Sequence, residues 1–542
     1  MGLHCGAMIK SRFAPVWLLL TSAVALGCGG GGSGRPSGTA GSSGASGAPG
    51  GPGGSSSGGA VGTGGESGAP AGLGGSEGGG AAGAAGASGT PGGLGGSSGG
   101  GAAGTAGASG ASAAGAGGLG VGGAAGAAGA AGTAGASAAG AGGAGLWDAV
   151  ACGWELVGGQ VSSATAESED PAMLLLDGAP TIGYRQASFE VRLHTWGADS
   201  WSSTAPDPTD GQLTGLFYRA PDFCFDGSRV VMAYAHAGDS TADDETFYDR
   251  VFAYEYTVVD GWSALDGGDE VSQHWDSSEQ VGYDADDPSV ACAPGQAPAV
   301  AWIETDLTAE QDDDVFVARE VGGSFVSSDR INRVSAAGTY ALVVDVELDS
   351  ADRAYVAHFE LAQDASFTSN LYVTRYDGTL LPLGGVVDTD QDTNQLSAPS
   401  LAVASENEVY VAYSADRDGD GQRDIYVQRW NGSEWSDLAG GPVSAFGADH
   451  YDSGQPDLIL VDGTPVIAWD ESNEYEGHFI YVARHTGTEW EILCDALNVD
   501  ANRDARDPSL VFDPTTATLY AGFEENVDGY PEIFVRQLAL GS

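Results

Sequence analysis

Residues 398–441 read APSLAVASENEVYVAYSADRDGDGQRDIYVQRWNGSEWSDLAGG. Four short runs stand out: SLAVAS after a proline, VYVAYSA, DIYVQRW and a run led by Trp435. Each is wholly apolar or alternates with period two, and Asn, Gly and Asp turns separate them, which is the pattern of four antiparallel strands. The first strand recurs outward in both directions as EDPAMLLLDG (from Glu169), APDFCFDG (from Ala220), DDPSVACAPG (from Asp286), QPDLILVDG (from Gln455) and DPSLVFDP (from Asp507). A copy without proline, TYALVVDVELD, starts at Thr339. The second strand repeats a small residue followed by a ring: Gly183-Tyr184, Ala233-Tyr234, Ala301-Trp302, Ala357-His358, Ala412-Tyr413, Ala468-Trp469 and Gly522-Phe523. The third repeats as FEVRLHTW, RVFAYEY, DVFVARE, NLYVTRY, DIYVQRW, FIYVARH and EIFVRQL.

A four-stranded unit repeated at a period of about 50 residues is one twisted blade of a β-propeller. The repeats therefore predict an all-β, seven-bladed propeller over 146–542. The last unit stops after its third strand, while GWELVGGQVS (from Gly153) reads like a fourth strand. The N-terminal strand is thus expected to complete the last blade and remove the open edge.

Upstream, Lys10 and Arg12 precede the apolar run Phe13–Leu26, too short to span a bilayer and the right size for a signal-peptide core. Two cleavage readings compete. Ala23-Val24-Ala25 is an A-x-A site, whereas Ala25-Leu26-Gly27-Cys28 resembles a lipobox ending in an acylated cysteine. The lipobox is preferred because Cys28 runs straight into Gly29–Gly32 and a Gly/Ala/Ser spacer. It departs from the pattern in carrying Ala25 where leucine is usual. The implied location is the outer membrane or cell surface, with plain secretion as the alternative. Residues 29–145 hold almost nothing apolar beyond alanine, so they are expected to stay disordered. Such a coil reaches about 60 Å.

The formal net charge is -54, and Lys10 is the sole lysine. So acidic a chain repels nucleic acid and anionic lipid, leaving the lipid anchor as its membrane contact and cations, cationic polymers or neutral glycans as partners. No H-E-x-x-H, no G-x-S-x-G and no phosphate loop in a strand-to-helix context occurs, which argues against zinc, serine-hydrolase and nucleotide chemistry. A monomer is expected.

Two repeated positions carry polar groups. Arg319, Arg375, Arg429 and Arg484, with Arg192 nearby, share one place in the third strand. They are read as structural, with Asp287 and Asp507 as expected partners. Two residues past the second-strand ring stand Gln186, His236, Glu304, Glu360, Ala415, Glu471 and Glu525, which should lie toward one end of the ring. They form either a solvated acidic rim or, as the sharper reading, a binding face for a cation or glycan. Four cysteines fall in the foldable part. Cys224 and Cys292, in first strands of neighbouring blades, are the expected bridge, with buried free thiols as the alternative and Cys152–Cys494 as a looser second pairing.

The repeat style resembles secreted bacterial propellers over all of 146–542, and the sialidase Asp-box S-x-D-x-G-x-x-W is not evident in the turns. The resemblance implies a fold and leaves the activity open between a non-enzymatic surface protein, binding an unidentified glycan, protein or cationic ligand, and a carbohydrate-active hydrolase or lyase. In the fifth unit, DRDGDGQRD (Asp416–Asp424) sets Asp416, Asp418, Asp420 and Asp424 at positions one, three, five and nine of a calcium loop, with Gly421 at six and the carbonyl of Gln422 at seven. Val427 at position twelve and the flanking strands exclude an EF-hand. The pattern is similar to the D-x-D-x-D-G-x-x-D hairpin loops of integrin propellers, which implies a structural Ca²⁺; the alternative is a merely acidic turn.

Overall fold

The computed structural model describes residues 146–541 except 148–149, 151, 163–165, 188–189, 206–218, 238–248, 269, 273–282, 307–311, 329, 333–338, 363–368, 391–398, 418, 420, 445–449 and 474–476. The signal segment, Cys28 and the Gly/Ala/Ser stretch lie outside the described residues.

Seven antiparallel sheets follow one another along the chain, each in the order first, second, third, fourth strand. First strands of successive blades contact each other at all seven seams, including the seam between blades 7 and 1, so they form the inner ring of a β-propeller. The seventh sheet takes its outer strand from the N-terminal side, with Glu155 opposite Gln537 and Leu156 opposite Arg536. Val157 and Val161 extend this seal by donating to the carbonyls of Val535 and Ile533, at 2.9 Å each. The edge strand foreseen in GWELVGGQVS is thereby covered.

The apolar core is divided among the seams. Val231, Ala233 and Val251 of blade 2 pack with Val300, Trp302 and Phe316 of blade 3. Equivalent clusters join the other six pairs of neighbours. This explains the small residue before each ring. A Cβ added at Gly183 would come within 2.4 Å of the Phe223 ring in blade 2, and one at Gly522 within 2.6 Å of Ile182 in blade 1. Alanine fits where the next blade presents less bulk, and glycine is needed where it presents more.

A second device circles the axis. Facing the small residue, the first strands carry Ala172, Asp222, Ser289, Asp345, Ser400, Asp457 and Ser509. Each polar member accepts a backbone N–H from the next blade. Val290 donates to Asp222 (2.8 Å), Val346 to Ser289 (3.3 Å) and Leu401 to Asp345 (2.6 Å). Leu458 donates to Ser400 (2.9 Å), Leu510 to Asp457 (2.5 Å) and Met173 to Ser509 (2.9 Å). Ala172 cannot accept, and the Phe223 N–H turns to its own neighbour Asp222 at 2.8 Å. Inner-strand amides that no ladder bond would satisfy are thus stitched around the ring.

Disulfides join Cys224 to Cys292, between the first strands of blades 2 and 3, and Cys152 to Cys494, between the closing segment and blade 6. The repeated arginines are structural, but their partners differ from the expected Asp287 and Asp507. Arg319 pairs with Asp352, Arg375 with Asp377 and Glu406, Arg429 with Glu408, Arg484 with Glu491 and Arg192 with Glu190. Four of the five arginines find their partners around the hairpin turns at the opposite end of the blade from the strand openings, and Arg192 pairs two residues away on its own strand.

Candidate functional site

The second strand alternates its side chains between two seams. Its ring and the residue two further on share one side, and this decides the fate of the acidic positions read from the repeats. Glu304, Glu360, Glu471, Glu525 and Gln186 are all buried, so they are not a solvated rim. Trp302 Nε1 donates to Glu304 and Trp469 Nε1 to Glu471, each at 3.0 Å, and His358 Nε2 lies 3.0 Å from Glu360. These carboxylates anchor the buried ring beside them. Gln186 approaches Ser168 at 3.5 Å. Glu525 accepts from the amides of Val499 and Asp500, which offset part of the upward pKa shift that burial imposes. The side chain of His236 lies outside the described residues.

The residue between, one past the ring, faces the following blade at the end where the first strands begin. Around the ring it is Arg185, Ala235, Ile303, Phe359, Ser414, Asp470 and Glu524. The position is apolar in blades 2, 3 and 4 and charged in blades 6, 7 and 1. Each charged member meets a distorted first strand, and the same distortion recurs beside the apolar members, with register shifts between Arg219 and Asp222, Asp286 and Ser289, and Leu342 and Val344 and positive φ at Asp287 and Val343. Register shifts fall between Gly454 and Asp457, Arg506 and Ser509, and Glu169 and Ala172. At these bulges Gln455, Asp507 and Asp170 take φ values of 47°, 50° and 57°, and each precedes a proline. A left-handed residue before proline costs about 1–3 kcal/mol, a strain that persists only when surrounding structure enforces it. Its effect is to turn these side chains out of the ladder.

At the seam between blades 7 and 1, Glu524 feels the charges of Asp507, Asp170, Glu169 and Arg506, and Arg185, bound to Asp170 and Glu169 of its own first strand, feels Glu524 in turn. Arg185 Nε donates to Asp170 at 3.0 Å and the same guanidinium pairs with Glu169. Glu524 is opposite Arg506 in the ladder and points toward blade 1, on the same side as Gly522, whose missing Cβ would strike Met173 and Ile182. It is 9% exposed, and its Oε2 accepts no hydrogen bond among the described residues. Burial, with the negative charge of Asp507, Asp170 and Glu169, holds its pKa well above the ordinary carboxylate range. In blade 6 the equivalent Asp470 is buried, with Oδ2 3.0 Å from His478 Nδ1 and Oδ1 lacking a donor.

In the DRDGDGQRD loop, Asp418 and Asp420 lie outside the described residues. The loop curls about Asp416, which accepts the amides of Gly419 and Gly421 at 2.8 and 2.9 Å, while Asp424 accepts from Ser444 at 3.0 Å. An anionic side chain enclosed by its own loop fits the first position of a calcium loop.

No protein-family model matches this chain, and no curated protein matches it. Solved structures do share its fold. An ulvan lyase of polysaccharide lyase family 25 aligns at 13% identity and a TM-score of 0.47, covering 71% of this chain and 96% of the lyase. A Trypanosoma rangeli sialidase in complex with the inhibitor DANA aligns at 10% identity and 0.38, covering 68% of this chain and 55% of the sialidase. A protein of unknown function from Dyadobacter fermentans aligns at 11% identity and 0.38, covering 60% of this chain and 95% of its own. At such identities the likeness is one of fold alone.

Proposed function

We propose that this chain is an exported, lipid-anchored surface propeller that binds an extracellular glycan, protein or cationic ligand, with no chemistry of its own, at the end of the ring where the first strands of blades 6, 7 and 1 begin. One observation carries the reading. A repeat position that is apolar in blades 2 to 4 becomes Asp470, Glu524 and Arg185 in three consecutive blades, and two of these are carboxylates with a buried oxygen that lacks a donor among the described residues. Burying charge costs stability, so its concentration in one arc supports a task other than folding. The anchor follows from Cys28 and its glycine run, and a Cys28→Ser variant should lose membrane partitioning. The binding reading is tested with a polysaccharide panel. Saturable retention without released products supports it, and no retention of any polymer overturns it.

A carbohydrate-active enzyme is the second reading. It is favoured by Glu524, whose pKa is raised by burial and neighbouring acids, standing beside Asp170, which is salt-bridged to Arg185. An acid and a charged partner with different environments are what general acid–base cleavage of a glycosidic bond requires. Products accumulating on the panel, and lost in Glu524→Gln, would replace the first reading with this one.

A structural Ca²⁺ held by Asp416, Asp418, Asp420, Asp424 and the carbonyl of Gln422 belongs to the same proposal. Calcium should raise the melting temperature of the wild type, and an Asp418→Ala, Asp420→Ala double variant should lose the gain. Equal responses in the two proteins would remove the assignment.

A further inference from the structure

We propose that the cluster at the seam of blades 7 and 1 is a site for a protonated amine, whose N–H groups are accepted by Glu524 Oε2 and by the carboxylates around it. This rests on the binding reading above and names the ligand chemistry. Four acids, Glu169, Asp170, Asp507 and Glu524, face two guanidinium groups, Arg185 and Arg506, so the cluster carries an acidic excess. Glu524 is buried, aimed across the seam, and has an oxygen with no donor. A neutral hydroxyl would satisfy that oxygen and leave the excess. A bare metal ion would satisfy the excess, but among the described residues no three acidic, His or Cys side chains converge as metal ligands. An ammonium group supplies donor and charge together. Glu169 and Arg185 keep 18% and 15% of their side chains exposed beside it.

Binding also makes a chemical demand. Burial and the neighbouring acids raise the pKa of Glu524, and pairing with a cation favours its ionised form, so binding draws protons off it. The balance is simple: the carboxyl O–H ionises, the proton goes to buffer and the carboxylate accepts the ammonium N–H.

The test is calorimetry at pH 7 in two buffers of different ionisation enthalpy, using a fully deacetylated chitooligosaccharide, its N-acetylated counterpart and spermidine. Saturable binding of the deacetylated oligomer with proton release, no binding of the N-acetylated one, and at least tenfold loss in Glu524→Gln are expected, with Asp260→Asn, in an exposed turn of blade 2, unchanged. Spermidine binding equally well would identify the amine alone as the determinant; spermidine failing would identify the amino sugar as the source. Equal affinity in wild type and Glu524→Gln, or a matching loss in Asp260→Asn, would reduce the effect to diffuse acidity and overturn the proposal. Should Glu524→Gln fail to fold, the wild-type measurement decides alone, because binding with no proton released overturns it. Retention of N-acetylated and neutral glycans with no amine binding would sink this site while leaving the binding reading intact.

Discussion

One residue beyond the second-strand ring, blades 3 and 4 carry Ile303 and Phe359, while blades 6 and 7 carry Asp470 and Glu524. All four are buried at the same place in the repeat. In the first pair the side chain fills a seam between apolar neighbours, as the fold asks. In the second it brings a carboxylate oxygen without a donor into the same kind of seam. Repeats stack through nearest-neighbour seams, so each seam has its own stability and a weak one is tolerated if the rest close the ring. The comparison teaches that charge at this buried position is concentrated in one arc, although the inner strands of blades 3 and 4 are bulged as well. An undirected drift of surface charge would have no reason to respect a buried position.

The comparison breaks most sharply if the two regions are exchanged. Phe359→Glu should install an unpaired buried acid between blades 4 and 5 and cost about 3–5 kcal/mol, read from urea unfolding. A loss below about 1 kcal/mol would mean that the seams are not close-packed at this position. The reverse change, Glu524→Leu, should raise stability by about 1–3 kcal/mol, because a buried acceptor lacking a donor is removed. It should also abolish amine binding. A destabilised variant would show that Glu524 holds the seam together and would withdraw the argument from cost.

A pH dependence locates a different acid store. Asp345 and Glu347 lie on the inner strand of blade 4, where burial and the charges of Asp222 and Asp457 across the ring push them up to about 7 and about 8. Each folded-state pKa lies above the unfolded value near 4. Between those values the folded protein binds more protons, so stability falls as pH rises from about 4 to about 8 and levels off above. Urea midpoints at pH 5 and pH 9 should differ in that direction. An Asp345→Asn, Glu347→Gln double variant should flatten part of the difference, the remainder belonging to Glu524 and the other raised carboxyls of blades 7 and 1, Glu169, Glu525 and Glu532. A variant with the wild-type slope would assign the whole effect to the seam of blades 7 and 1.

Much of the fold is legible in the repeats. Gly183-Tyr184 through Gly522-Phe523 place the second strands, and the missing last strand together with GWELVGGQVS predicts the closure seen at Glu155 and Leu156. The site is legible only to within a residue. Repetition drew the eye to Glu304, Glu360, Glu471 and Glu525, because a position acidic in most blades looks meaningful. They are repeated for a structural reason, since each sits beside the ring two residues earlier. The residue between them varies from Ala235 to Phe359 to Glu524, and only its variation marks it. The Asp/Ser stitching was equally visible in Asp222, Ser289, Ser400, Asp457 and Ser509, each just after proline, yet its meaning needs the next blade's amide.

By itself the sequence determined what periodicity and local chemistry can carry. It set four strands per blade, the count of seven, the small residue before the ring, and the turns built on Gly, Asp and Asn. These depend on neighbours close in the chain, so they can be read along it. Tertiary structure alone decided what depends on the seam. It chose Asp352, Glu406 and Glu491 over Asp287 and Asp507 as arginine partners, it buried the acids thought to face solvent, and it brought Glu524 against Asp170. The physical reason is that alternation along a strand fixes which side a residue takes, while only closure of the ring fixes what stands on that side.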